Sequence, residues 1–277
     1  MNWKHISAII KKDWIEVRQN KYAWVPMLIM PAFFVILLPL IFTLVLPGLN
    51  VNSADVMTSD ADIQFFIEQM PPALSQYVDL QKPTESMIVV TLGVMFAPMF
   101  LIMPLMYATT IAAESFAGER ERKTIEALLY TSATDEELLM GKVSAAAIPA
   151  MVITWIGFLI YILILNLVPY RFFQRIWFPL PTWWPLILWI TPAMVVTAIA
   201  LTVLISARVK NFLGAYQTSS SVVLLVVLLF AGQMSGVLYL SIGVQMVLGA
   251  ILWLFALILG RFAVRIFNRG ALLTGES

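Results

Sequence analysis

The stretch "ESFAGERERKTIEALLYTSATDEELLMGK", residues 114–142, gathers 11 charged side chains into 29 positions of a 277-residue chain that is 61% hydrophobic and only 12% charged. On either side of it lies a long apolar block, Met87 to Ala112 before and Val143 to Val168 after. Each is longer than the roughly 20 apolar residues a helix needs to cross a hydrocarbon core. The charges therefore sit on a turn between two membrane helices, where solvation is cheap. Four further blocks, Trp24 to Leu46, Pro185 to Ser206, Ala215 to Ser235 and Ser241 to Gly260, bring the expected spans to six.

The mean hydropathy of +0.89 agrees with an all-α integral membrane protein. The apolar blocks are continuous, whereas barrel strands must alternate in polarity, so a closed β-barrel is disfavoured. The first block is too long for a signal-peptide core and follows a 23-residue polar lead, so it reads as a retained helix. Of 17 Lys and Arg, all but Lys82, Arg171 and Arg175 fall before the first span, between spans two and three, between four and five, or after the sixth. The positive-inside rule places those segments and both termini in the cytoplasm, in a cell (plasma or inner) membrane. The domain reading is an amphipathic segment at 1–23, a six-helix domain at 24–270 and a tail at 271–277. External loops fall at 47–86 and 169–184, and the cytoplasmic loop at 113–142.

Within 1–22, Trp3, Ile6, Ile10, Trp14 and Val17 recur at helical spacing with Lys4, Lys11, Lys12, Arg18 and Lys21 between them. Such a helix suits the membrane interface. The first external loop is mildly acidic, with a short helix expected at Ile63 to Met70, ended by Pro71 and Pro72. The second, "VPYRFFQRIWFPLPTWWP", reads as an interfacial aromatic belt. Arg261, Arg265 and Arg269 recur every four residues after the last span and suit anionic headgroups.

Several chemistries are missing. No ionisable residue is expected deep within a span, which disfavours proton-driven transport. His5 is the only histidine and cysteine is absent, so there is no zinc pair, thiol nucleophile or disulfide. "GQMSG" at 232–236 has its serine at the wrong offset for a nucleophile elbow. "GERERKT" at 118–124 lacks the second glycine of a phosphate loop, so the chain is not expected to bind ATP. Nothing suggests nucleic-acid binding, a metal site or an enzyme. Inside the membrane, Met95, Met99, Met103 and Met106 fall within about 80° of one another on an ideal helix. They either offer soft thioethers along a pathway or fill a core. Asn166, Gln217 and Gln233 likewise either line a pathway or bond between helices.

Within 114–142, Glu119 and Lys123 are spaced as a helical ion pair, with Ile125, Leu128 and Leu129 as an apolar face. "TSAT" interrupts, and Thr134 with Glu137 makes a capping box that starts a second helix running into the third span. The expected product is a helical hairpin with apolar knobs ringed by charge, suited to docking on a partner.

The stretch resembles the signature of ABC-2 type transporter permeases, especially the sodium-exporter-like branch. Glu114, Gly118, Glu119, Arg120, Glu121, Arg122, Thr124, Ile125, Glu126, Leu128, Leu129, Thr131, Thr134, Glu137, Leu138, Leu139, Gly141 and Lys142 carry the resemblance. Lys123 stands where the family usually has Gly, and Ser132 where it usually has Pro. The resemblance implies a type V exporter-like fold with an N-terminal interfacial helix and a cytoplasmic coupling helix. It further implies that a separate ATPase subunit, which binds ATP and Mg, docks on this region. The implied coupling residues are Glu119, Arg120, Glu121, Arg122, Thr124, Glu126, Leu128, Leu129, Thr134, Glu137 and Lys142. A second permease copy or homologue is expected to complete the pathway in the lipid bilayer. A membrane anchor or scaffold on the same fold is the alternative, with a secondary transporter third.

Overall fold

The computed structural model describes residues 3–45, 61–79, 81–124, 133–209, 211–236 and 238–266. Helix α1 is Trp3–Gln19, and α2, the first span, covers 21–44. Helix α3 is Ala61–Glu68, in the place expected of the loop helix, and the chain breaks after it at Pro71. The lead-in Pro83–Met95 feeds the second span α4, Ala97–Glu121. Spans three to six are α5 (Asp135–Leu167), α6 (Trp183–Arg208), α7 (Phe212–Met234) and α8 (Ile242–Ile266). Among the described residues these are the six helices long and apolar enough to cross a membrane, as the sequence implied.

The spans are not equivalent. Helix α4 is 89% buried over its apolar window and α6 72%, while α7 and α8 are each 17% buried. An apolar side chain facing lipid loses nothing by exposure, so only the central pair needs partners on every side. Helix α4 accordingly packs against α2, α5, α6 and α7, while α8 lies mainly along α6.

Four π-helical turns interrupt the spans, at Ala32–Leu37, Val89–Met95, Glu114–Gly118 and Leu186–Ile190. Each adds a residue to the turn and frees backbone groups that must bond elsewhere. At Val89–Met95 three consecutive carbonyls find donors on three other segments. Tyr161 Oη donates to Leu92 at 2.8 Å, Trp183 Nε1 to Gly93 at 2.7 Å, and Gln233 Nε2 to Val94 at 2.6 Å. A Cβ at Gly93 would stand 3.0 Å from Leu180 Cδ1 and 3.1 Å from Trp177 Cζ3, which is why the turn carries glycine there.

This corrects the reading of the aromatic loop as an interfacial belt. Trp177, Phe178 and Trp183 are buried and pack with Phe100, Phe158 and Tyr161 into one aromatic cluster. Buried indoles need acceptors, and Trp177 Nε1 finds Leu165 O at 2.7 Å. Asn166 pins the loop to α5, donating to Phe178 O at 2.7 Å and accepting from Trp177 N at 3.0 Å. Tyr170 and Trp184 are exceptions, both exposed.

The residues expected along a pathway do not come together. Asn166 and Gln233 are taken up by the bonds above, and Gln217 is exposed near the start of α7. Turns at Phe96 and Leu101 break the ideal helical register that would align the methionines. Met103 is buried, with Met95, Met99 and Met106 packed against the core. Core filling is what the geometry shows.

Candidate functional site

The charged stretch begins inside the bundle. Helix α4 does not run on to Leu129, as the hairpin reading had it, but stops after Glu121. Lys123 takes a left-handed backbone, φ 57°. Its N–H donates to Arg120 O at 3.2 Å, and Thr124 N–H to Glu119 O at 2.9 Å. This crossed pair of bonds is the Schellman arrangement, which satisfies the last carbonyls of a helix and turns the chain sharply. Lys123 therefore does not make the helical pair with Glu119 that its spacing suggested. Thr134 then opens α5 with the expected capping box, accepting from Glu137 N at 3.3 Å while Glu137 Oε2 accepts from Thr134 N at 3.2 Å. Glu126, Leu128 and Leu129 lie outside the described residues.

Part of this charge is not solvated, although Glu121, Arg122, Lys123 and Glu136 are exposed. Glu114, Glu119, Glu137 and Lys142 are all buried. Their partners come largely from α1. Lys142 Nζ donates to Ser115 O at 2.6 Å and pairs with Glu119 Oε2 at 2.6 Å and Asp13 Oδ2 at 3.6 Å. Lys12 reaches Glu119 Oε1 from the other side, with Glu16 Oε1 at 3.0 Å and Asp13 Oδ1 at 3.3 Å. Ser115 Oγ donates to Asp13 Oδ2. Glu114 accepts from Asn20 Nδ2 at 2.7 Å and Arg122 Nη1 at 2.6 Å. Burial works against the charge on Lys12, but Glu119, then Asp13 and Glu16, outweigh it and raise its pKa. Arg122 is likewise raised, with Glu114 outweighing desolvation.

Two glycines make the approach possible. A Cβ on Gly141 would lie 2.9 Å from Ile9 Cγ2, so glycine there lets α1 cross α5 closely. A Cβ on Gly118 would lie 3.1 Å from the Glu114 carboxyl carbon, which folds back over it. The buried face of α1 is Ile6, Ile9, Asp13 and Val17, and Trp3 is 68% exposed. Rather than lying only in an interface, α1 is bolted to α4 and α5.

The remaining signature charges turn the other way. Arg120 Nη1 donates to Ser206 O at 3.0 Å and Ala207 O at 2.9 Å, the last carbonyls of α6. Glu121 Oε2 accepts from Phe212 N at 2.8 Å, at the first turn of α7, where Asn211 also caps Gly214 N at 3.2 Å. A cation at a helix C-terminus and an anion at an N-terminus both suit the helix dipole. Adjacent residues of α4 thus hold the two ends of one connection. Thr124 Oγ1 closes back on Glu119 O at 3.2 Å, and His5 Nδ1 lies 3.0 Å from Glu137 Oε2.

Asp13, Lys12, Glu16, Asn20 and Ser115 belong to this joint and were missed as site residues. Asp13 was detectable, for it falls on the apolar stripe between Ile9 and Val17, where a solvated acid has no place. Asp13, Glu16 and Glu119 bring carboxylate oxygens within 4.8 Å of one another, but Lys12 and Lys142 already neutralise them. The arrangement is a joint: one segment holds the ends of α1, α5, α6 and α7 to the end of α4.

Residues 7–255 match the model of a family described as ABC-2 family transporter protein. Neither a curated protein nor a solved structure matches the chain.

Proposed function

Because this chain belongs to the ABC-2 family of transporter proteins and is a multi-pass membrane permease of an ATP-binding cassette transporter, we propose that it couples to a separate ATPase subunit through residues 114–142. The observation that carries this reading is the joint. Residues 125–132 join two stems, Thr124 and Ala133, and the helices that end there, α4 and α5, are tied to the ends of α1, α6 and α7. A force applied to that segment reaches α4 and α5 directly, α1 through the buried Glu119 and Lys142, and α6 and α7 through Arg120 and Glu121.

Gly118 to Thr124 supports the need for a partner. It is the capped end of α4, with the N–H groups of Arg122, Lys123 and Thr124 already bonded to Gly118, Arg120 and Glu119 carbonyls, so it offers no cradle for phosphate. ATP and Mg then belong to the partner. Leu128 and Leu129 are the apolar contacts in this reading, and Glu126 the charged one.

The direction is export, by resemblance of the signature. Two copies, or this chain and a homologue, pair to enclose the pathway, and spans whose charges are confined to the end where the joint lies suit an apolar or amphipathic cargo. The test is co-purification of the full chain from its native membrane, with an ATPase assay on what is recovered. A stoichiometric ATPase subunit is expected. Recovery of the chain alone, with no ATPase bound under cross-linking, would remove the coupling assignment.

A further inference from the structure

A groove of about 640 Å³ runs along the outside of the bundle between α6 and α8, ending against the first turns of α5. It exists because small residues sit where larger ones would close it: Ala200 on α6, and Ala256, Gly260 and Ala263 on α8. A Cβ at Gly260 would meet nothing within 4 Å. Its walls, Val196, Ile199, Val203 and Leu257 among them, are apolar apart from the indole N–H of Trp253.

Only one end is charged. Arg261 and Arg265 line it beside Leu139 and Met140, which begin α5, so the arginines lie at the membrane face where α1 and the joint also lie. Neither pairs with a carboxylate among the described residues, whereas Lys12, Arg122 and Lys142 at the same face all do.

The volume falls in the range of small-ligand sites, about 300–1,000 Å³. An apolar trough open to hydrocarbon, with two guanidinium groups at headgroup level, matches a molecule with an alkyl chain and an anionic head. Guanidinium forks suit phosphate oxygens, and basic pockets between spans are the sites where anionic headgroups bind. A neutral helix laid in the trough would leave both charges unmatched. The companion groove between α2 and α5 has only Arg18 at its edge.

We propose that the α6–α8 groove is a binding site for one anionic phospholipid. Its acyl chain lies over Ala200 and Gly260, and Arg261 and Arg265 hold its phosphate. This does not depend on the ATPase coupling above.

The test is competition on the full chain in detergent, offered equal phosphatidylglycerol and phosphatidylcholine of identical acyl chains, with retained lipid read by native mass spectrometry. The expected preference for phosphatidylglycerol is on the order of tenfold. Arg261→Gln with Arg265→Gln abolishes the preference, and Gly260→Leu, whose side chain enters open space, lowers retention of both lipids at an unchanged melting temperature. Equal retention of the two lipids by the unmodified chain overturns the proposal, as does a preference that survives the double substitution. So does a Gly260→Leu variant that changes oligomeric state while lipid retention stays the same, for the groove would then be an interface between copies.

Discussion

Lys123 ends α4 in a backbone region that costs an L-residue about 1–2 kcal/mol and glycine nothing. The resemblance carries glycine at this position, and the left-handed φ of 57° gives the physical reason. Lys123→Gly is therefore expected to raise the unfolding free energy by about 1 kcal/mol, read as a higher melting temperature in detergent with the same oligomeric state. A lower melting temperature would mean that the lysine side chain supplies more than the backbone loses. Lys142 poses the opposite problem, for its ammonium is buried and faces Glu119 and Asp13. Lys142→Met leaves two buried carboxylates to share Lys12 as their one cation and is expected to cost about 3–5 kcal/mol. Adding Glu119→Met should recover much of that loss, and additive costs in this double-mutant cycle would show that the two do not act as a pair. The charges of this cluster were legible in the sequence as a group. Their direction was not, because composition reports that a loop can be solvated, and only the tertiary approach of α1 decides that Glu114, Glu119 and Lys142 are not.

Helix α1 meets α5 at Gly141, where the contact with Ile9 has no room for even one more carbon. Gly141→Ala is expected to destabilise by about 1–3 kcal/mol, the usual range for overpacking. In an Ile9→Ala background the same change should add little. A full additional loss there would place the strain elsewhere. The six spans and the Thr134 capping box were legible because both are local signals, a run of apolar residues and a pair of side chains three apart. The π-helical turn at Val89–Met95 was not. It depends on donors brought from distant segments, Tyr161, Trp183 and Gln233 to Leu92, Gly93 and Val94, and no periodicity within the lead-in announces them. Turns at Phe96 and Leu101 misled the methionine alignment, which assumed an unbroken 100° per residue. The aromatic loop was misread for a related reason. Trp and Tyr suit a membrane interface and a buried, hydrogen-bonded cluster equally well, and carbonyls freed by the turn at Val89–Met95 select the second.

For the whole molecule, the joint predicts a separation between holding the fold and transmitting work. Leu128→Glu changes the segment between the stems and leaves in place the side chains of the bonds described above. It is expected to abolish ATP-stimulated activity of the assembled transporter while insertion and melting temperature stay as they were. Activity that persists in that variant would move the contact with the ATPase away from this segment. The Schellman bonds at Lys123 and Thr124 satisfy the end of α4, and the capping box at Thr134 satisfies the start of α5, with partners that are themselves described residues. Such closure makes the tip an exchangeable part. Chimaeras that swap those eight positions between permeases should inherit the donor's choice of ATPase on the recipient's membrane body, so that partner identity can diverge without the bundle being rebuilt.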